Sequence, residues 1–190
     1  VYKRQSQWLA MGKSQSMAEF IGAHKKYNAM PWVNTISTSA EGRAVYLDNT
    51  NVGALSGEAI SAWRDRIEAS SQLKNLYLTK GIVILDGSTN RDEWINHPET
   101  PIPGTTLFEQ RPLIESEFYV FNANDSYWLS DPKKPTTGYS PLYGATETPR
   151  SVRTRMNIHL LEGLDGFNFT GEDGLFSVSE IQAALMIIRD

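Results

Sequence analysis

The sequence predicts an α+β fold, because helical and strand patterns both occur along it in mixed order. Three observations indicate this: helical spacing of apolar residues in 14–28, two strand patterns in 31–50, and a helix-starting motif at Ser177. With 190 residues, 40% of them hydrophobic and 21% charged, the chain can form one substantial domain or part of a larger one.

The first half of the chain predicts a helix followed by a hairpin. Apolar side chains recur at three- and four-residue spacing in 14–28, and the helix is expected to end at Asn28, before Pro31. "PWVNTIST" and "AEGRAVYLDN" predict two strands joined by a tight turn at residues 41–42. Trp32 and Asn34 share one face of the first strand, where they either line an apolar pocket or pack in the core.

The chain from residue 57 onward mixes clear and ambiguous patterns. Residues 57–78 predict a helix, "GIVILDGS" predicts a buried strand, and the stretch 88–117 predicts a surface loop. "SEFYVFNANDSYW" predicts another strand with a polar end, and a second loop follows at 131–149. "RSVRTRMNIHLLEGL" is compatible with either strand or helix. Ser177 and Glu180 form a capping box, which predicts a helix from about residue 178.

Composition excludes several classes of function. The net charge of −4, the pI near 5.4 and the lack of a dense Lys/Arg stripe argue against nucleic-acid binding. No apolar run approaches the roughly 20 residues of a membrane span. The sequence holds no cysteine and only three histidines without ligand spacing, so no metal site is predicted. An EF-hand-like tail also fails, since Phe169 and Gly171 stand where calcium ligands are required.

The two ends predict an internal segment of a longer reading frame. The chain starts at Val1 without an initiator Met or signal peptide, and "ALMIIRD" stops within a predicted helix. "VYKRQ" is also encoded, in one reading frame, by a common transposon-derived sequencing adapter. We therefore expect residues 1–5 to be non-native and 6–190 to form a single partial domain.

Two polar groups are candidate sites. "NANDSYWLS" at 122–130 is either an Asx-turn that satisfies the backbone or a site whose carboxamides face a ligand. Arg150, Arg153 and Arg155 either clamp a carboxylate or hold a carboxamide, or they lie on a solvated face. Neither group by itself shows which of its two interpretations is correct.

Read in order, these segments resemble a known family. "MPWVNTISTSAEGRAVYLDNTNV", "LDGS", "FYVFNANDSYWLSDPKKPTTGYSPLYG" and "TPRSVRTR" are similar to the later part of the β chain of the penicillin acylase family. The closer branch is that of the acyl-homoserine-lactone and aculeacin A acylases. The resemblance runs from about Trp8 to the last predicted helix, and is looser over 57–80 and 162–175.

This resemblance implies an N-terminal-nucleophile hydrolase with an αββα sandwich, of which the chain would be an incomplete part. Members are exported to the periplasm or secreted as precursors, and they cleave themselves into α and β chains. The resulting N-terminal serine of the β chain attacks a substrate amide, with its own α-amino group as general base. Implied partners are an acylated amide substrate, the α chain and the missing N-terminal part of the β chain.

The resemblance also assigns roles to residues. Asn124 matches the asparagine of the oxyanion hole, and Arg153 matches the arginine that orients polar groups there. Trp32 and Trp8 match aromatic residues that line the acyl pocket. No cofactor is predicted; some members hold calcium, but no ligand set for it is legible here.

The nucleophile of the family has no match in this chain. Val1 is not that serine, and Ser6 and Ser14 stand in the wrong context, so we expect the chain by itself to hydrolyse nothing. Two alternatives stay open. One is a homologue that has lost its nucleophile, and the other is a secreted binding module that uses Trp8, Trp32 and Trp128 as an apolar platform.

Overall fold

The computed structural model describes residues 2–166, 169–171 and 173–187, which combine helices with one small antiparallel sheet. The α+β class is therefore confirmed, whereas the αββα sandwich stays an implication of the resemblance. The chain divides into two compact units. The first holds the residues up to 122 together with 126–148, and the second holds 123–125 together with the residues from 149 on.

The first unit begins with helices α1 (Tyr2–Lys13) and α2 (Met17–Tyr27). The second of these confirms the predicted helix, and local signals explain both of its ends. The Ser16 hydroxyl accepts from the Glu19 N–H, while Asn28 closes the helix with a φ of 46° in the left-handed region. Its inner face buries Met17, Ala23 and His24.

The sheet contains β1 (Asn34–Thr38), β2 (Ala44–Asp48) and β3 (Leu113–Ser116) in the order β1-β2-β3. The predicted hairpin is confirmed, and Gly42 supplies the turn with a φ of 79°. The third strand lies inside the stretch predicted to be loop, so that prediction is wrong there. Its pairing of Ala44 with Ser116 joins distant parts of the chain, which no local pattern indicates.

Helices α3 (Gly57–Ala69) and α4 (Ser71–Lys80) replace the single helix predicted for 57–78. Ser70 separates them, because its backbone is extended and its side chain caps the second helix at the Leu73 N–H. The strand predicted for "GIVILDGS" is wrong: this stretch forms no strand, and Ile82 and Ile84 remain 47% and 48% exposed. Gly81 ends α4 in the left-handed conformation, and no strand among the described residues pairs with the segment that follows.

The second unit contains α5 (Val152–Glu162) and α6 (Val178–Ile187). "RSVRTRMNIHLLEGL" is thus helical over most of its length. The capping box is confirmed, since the Ser177 N–H donates to Glu180 and the Glu180 N–H donates to the Ser177 hydroxyl. Short 3-10 helices complete the chain at Asn90–Asp92, Phe108–Gln110, Tyr127–Leu129, Pro141–Tyr143 and Leu164–Gly166.

The segment that carries "NANDSYWLS" does not follow a strand. Strand β3 ends at Ser116, and 117–122 pair with no other strand, although Val120 and Phe121 are buried as their apolar character predicts. The predicted strand is therefore wrong, and its apolar run is buried only in part, since Phe118 is 84% exposed and Tyr119 is half-buried. Of the helices that the structure describes, none has both the length and the apolar character needed to cross a membrane.

Candidate functional site

Asn124 lies in the left-handed region of the backbone, with a φ of 72°. Asparagine tolerates this conformation better than other residues with a Cβ, so the turn suits its sequence. The side chain is exposed. Asn124 also lies in the three-residue segment 123–125, which groups with helix α5 in the second unit.

Arg153 lies in the first turn of α5, whose N-cap is Ser151. Its Nη2 donates to the Ala123 carbonyl at 2.6 Å and to the Asn124 Oδ1 at 2.5 Å. Because a guanidinium only donates, this contact fixes which end of the carboxamide is the oxygen, and the Nδ2 group lies at the other end. The structure thus brings together the two residues that the resemblance pairs.

Thr154, the next residue of α5, holds the other side of Asn124. Its hydroxyl donates to the Asp125 Oδ2 at 2.5 Å, and the residue is fully buried. Ser151 supports it twice, through the Thr154 N–H at 3.0 Å and through the hydroxyl at 2.8 Å. Sequence reasoning missed Thr154. The signal was the Ser-x-x-Thr start of a helix, which is informative only once 150–164 is known to be helical.

In the first unit, other hydrogen bonds hold Asn122 and Ser126, the residues on either side of the segment 123–125. The Asn122 Oδ1 accepts from the Asn34 Nδ2 at 3.1 Å, and the Tyr46 hydroxyl donates to the Asn34 Oδ1 at 3.0 Å. Burial raises the pKa of Tyr46 far above its usual value, so the phenol stays a donor. The Ser126 hydroxyl donates to the Ala145 carbonyl at 2.5 Å.

The predicted aromatic residues lie in the first unit and are open to solvent. Trp8 is 55% exposed and Trp32 is 77% exposed, so the interpretation of Trp32 as a core residue is wrong. Asn34, on the same face, is likewise exposed rather than buried. Trp128 is buried and cannot belong to an exposed platform. The role of Trp8 and Trp32 in an acyl pocket stays a prediction.

The other charged candidates do not add to the site. Arg150 and Arg155 are exposed, as the solvated-face interpretation of the arginine group expects for these two members. The described residues contain no group of three or more His, Asp or Glu side chains placed to hold a metal ion. Arg153 supplies a positive charge and hydrogen-bond donors beside Asn124.

The sequence of this chain also matches a known protein family. The family model described as penicillin amidase matches residues 2–186, nearly the whole chain. This chain belongs to the penicillin amidase family. The matched range includes both residues of the Asn124–Arg153 pair, together with Trp8 and Trp32.

Three curated relatives of this member of the penicillin amidase family are acylases by name. Aculeacin-A acylase from Actinoplanes utahensis is 31% identical over 86% of this chain and 21% of its own length. The acyl-homoserine lactone acylase PvdQ from Pseudomonas putida is 27% identical over 97% of this chain and 22% of its own length. PvdQ from Pseudomonas syringae pv. syringae is 29% identical over 95% of this chain and 21% of its own length. The chain thus spans about a fifth of the length of these relatives.

Proposed function

We propose that this chain is part of an amide-hydrolysing acylase in which Asn124 supplies one donor of the oxyanion hole. The observation that carries the proposal is the hydrogen bond from Arg153 to the Asn124 Oδ1. It orients the carboxamide so that the NH2 group is the end directed away from the guanidinium. Membership of the penicillin amidase family supports the reaction class.

The proposed chemistry requires charge stabilisation at the substrate carbonyl. When a nucleophile attacks an amide, the carbonyl oxygen gains negative charge, and a donor held in advance stabilises it without reorganisation. Arg153 holds the Asn124 donor in advance, because its contacts with the Ala123 carbonyl and the Asn124 Oδ1 restrain both the backbone and the side chain. Its positive charge also favours a developing anion nearby.

The nucleophile in this proposal is the N-terminal serine of a β chain, which lies outside the sequence. Its α-amino group is the base; an unperturbed α-amine has a pKa of about 8, so a modest lowering suits neutral pH. The proposed partners are the α chain and the remainder of the β chain. The proposed compartment is periplasmic or extracellular.

The proposed substrate is an acyl-homoserine lactone, with a lipopeptide or a β-lactam side chain as the next candidates. Support for this order comes from the names of the relatives, which include PvdQ enzymes and aculeacin-A acylase. Trp32 and Trp8 are proposed to line the acyl pocket, where a flat apolar surface suits a fatty or aromatic chain.

The test is the Asn124→Ala variant of a full-length acylase that contains this segment. Losing one oxyanion donor is expected to lower kcat about 100- to 1000-fold with little change in KM. Asn75→Ala, which truncates an exposed asparagine of α4, is the matched control and should keep the normal rate. A near-normal kcat for Asn124→Ala would remove the proposed role.

A second candidate is a binding protein without catalysis, either a homologue that lacks a nucleophile or a secreted module. The exposure of Trp8 and Trp32 favours it, since exposed tryptophans can form an apolar ligand surface. The upstream reading frame distinguishes the two: Ser, Thr or Cys after a small residue indicates an enzyme, and any other residue a non-catalytic homologue.

A further inference from the structure

We propose that Thr154 is a positioning residue that holds the Asn124 carboxamide in place through Asp125. This inference rests on the proposed function, because it concerns the same oxyanion donor. It is carried by the 2.5 Å hydrogen bond from the Thr154 hydroxyl to the Asp125 Oδ2 and by the complete burial of Thr154.

The direction of every bond in this small network follows from chemistry. The Asp125 carboxylate only accepts, so the Thr154 hydroxyl proton points to it. The Thr154 Oγ1 then accepts from the Ser151 hydroxyl at 2.8 Å, while the Ser151 Oγ accepts from the Thr154 N–H at 3.0 Å. Thr154 therefore connects the helix cap to Asp125 through bonds whose donors and acceptors are each defined.

This network matters because Asn124 has a backbone conformation that needs support. A φ of 72° is costly for a residue with a Cβ, and the surrounding contacts have to maintain it. Arg153 holds the preceding residue at the Ala123 carbonyl, and Thr154 holds the following residue at its side chain. Two adjacent residues of one helix turn thus restrain the chain on both sides of Asn124.

The hydrogen bonds of Arg153 and Thr154 differ in how strongly water competes with them. Arg153 and Asn124 are both exposed, so water competes for their hydrogen bond. Thr154 is fully buried and Asp125 is half-buried, so water competes far less for theirs. We expect the Thr154–Asp125 bond to define the position of the segment and Arg153 to orient the carboxamide.

The test compares Thr154→Val with Thr154→Ser in the full-length acylase. Valine keeps the shape and removes the hydroxyl, whereas serine keeps the hydroxyl and removes a methyl group. With concentrations corrected by active-site titration, Thr154→Val is expected to lower kcat about 10- to 100-fold with KM little changed, because small misplacements of a donor have effects of this size. Thr154→Ser should restore most of the rate.

Asp125→Ala removes the same bond from the opposite side and provides a second variant if Thr154→Val does not fold. It is expected to show the same kcat loss, and the double variant should lose little more than either single one. An unchanged kcat in Thr154→Val or in Asp125→Ala would overturn the inference. So would a loss in Thr154→Ser as large as that in Thr154→Val.

Asn124→Ala, measured in parallel, separates the two proposals. If it loses activity while Thr154→Val does not, the positioning role fails and the proposed function stands. If Asn124→Ala itself keeps a normal kcat, the proposed function fails. Where Asn124→Ala does lower kcat, adding Thr154→Val to it should lower kcat little further, because Thr154 acts through Asn124. A full additional loss of kcat in the double variant would contradict the positioning role of Thr154.

Discussion

At the residue scale, His24 shows how burial and hydrogen-bond direction together define a protonation state. The Gln7 Oε1 accepts from the Ala29 N–H at 2.7 Å, which leaves the Gln7 amide nitrogen 3.0 Å from the His24 Nδ1. An amide nitrogen only donates, so Nδ1 accepts and the ring proton lies on Nε2. A second proton would face another donor at Nδ1, and burial already lowers the pKa of His24 to about 4.

This lowered pKa predicts acid sensitivity. Between the ordinary histidine pKa of 6.5 and the lowered pKa of about 4, the unfolded chain binds a proton that the folded chain excludes, so stability falls as pH falls through this window. Above the window the contribution is complete, and the total loss across it is on the order of 3 kcal/mol. Urea unfolding at about pH 7 and about pH 5 measures the difference.

Two histidine variants make this prediction specific. His24→Gln should lose this part of the pH dependence, because glutamine does not titrate. The control is His97→Gln, at a half-buried position, which should keep the wild-type dependence. If the unfolding free energy changes with pH as much in His24→Gln as in the wild type, another group causes the acid sensitivity.

At the element scale, Arg111 joins the end of β2 to the chain that leads into β3. It is 2% exposed and donates to the Thr106 carbonyl at 2.8 Å, to the Asn49 carbonyl at 3.0 Å and to the Asn49 Oδ1 at 2.9 Å. Burial lowers its pKa, but an arginine remains charged at any ordinary pH. These carbonyls would otherwise be buried without a donor.

Arg111→Lys is therefore expected to destabilise the chain in spite of keeping the charge. A single ammonium cannot reach all the acceptors of a planar guanidinium, and unsatisfied buried groups should cost about 3 kcal/mol in unfolding free energy. The control is Arg64→Lys on the exposed face of α3, which should stay within about 0.5 kcal/mol of the wild type. Urea midpoints measure both, and equal midpoints would contradict the role of Arg111.

Elements with local signals were predicted correctly, whereas elements that depend on distant partners were not. Helices α2 and α6 carry their own caps, and the β1–β2 hairpin carries its own turn. Strand β3 forms only because β2 accepts it as a partner, and "GIVILDGS" fails as a strand because no strand pairs with it. An apolar run therefore shows neither burial nor strand formation by itself, because both depend on a partner elsewhere in the chain.

At the scale of the whole molecule, the isolated chain is predicted to hydrolyse no amide. Neither serine near the start resembles a nucleophile: Ser6 lies within helix α1, and the Ser14 hydroxyl donates to the Ala10 carbonyl at 3.0 Å. An amidase assay on the purified chain, with a chromogenic acyl amide, should show no turnover. Turnover that Asn124→Ala abolishes would contradict this prediction.

The same purified chain distinguishes an acylase segment from a binding module. Titration with a fatty acyl amide should leave tryptophan fluorescence without a saturable change if the acyl pocket needs the remainder of the protein. Saturable quenching that Trp32→Leu removes would favour the binding module instead. Trp94→Leu is the control, since Trp94 is also exposed, at 57%.

The sequence by itself determined the α+β class, the family and the pairing of Asn124 with Arg153, because local patterns and motif order carry that information. Only the tertiary structure decided that Asn124 lies in a left-handed turn rather than at a strand end. Likewise, only the structure showed that Thr154 is buried against Asp125. The physical reason is that both features depend on how helix α5 lies against residues 123–125, which are about 29 positions away along the chain, and no local pattern shows that packing. The pairing of Asn124 with Arg153 could be predicted only through the family resemblance.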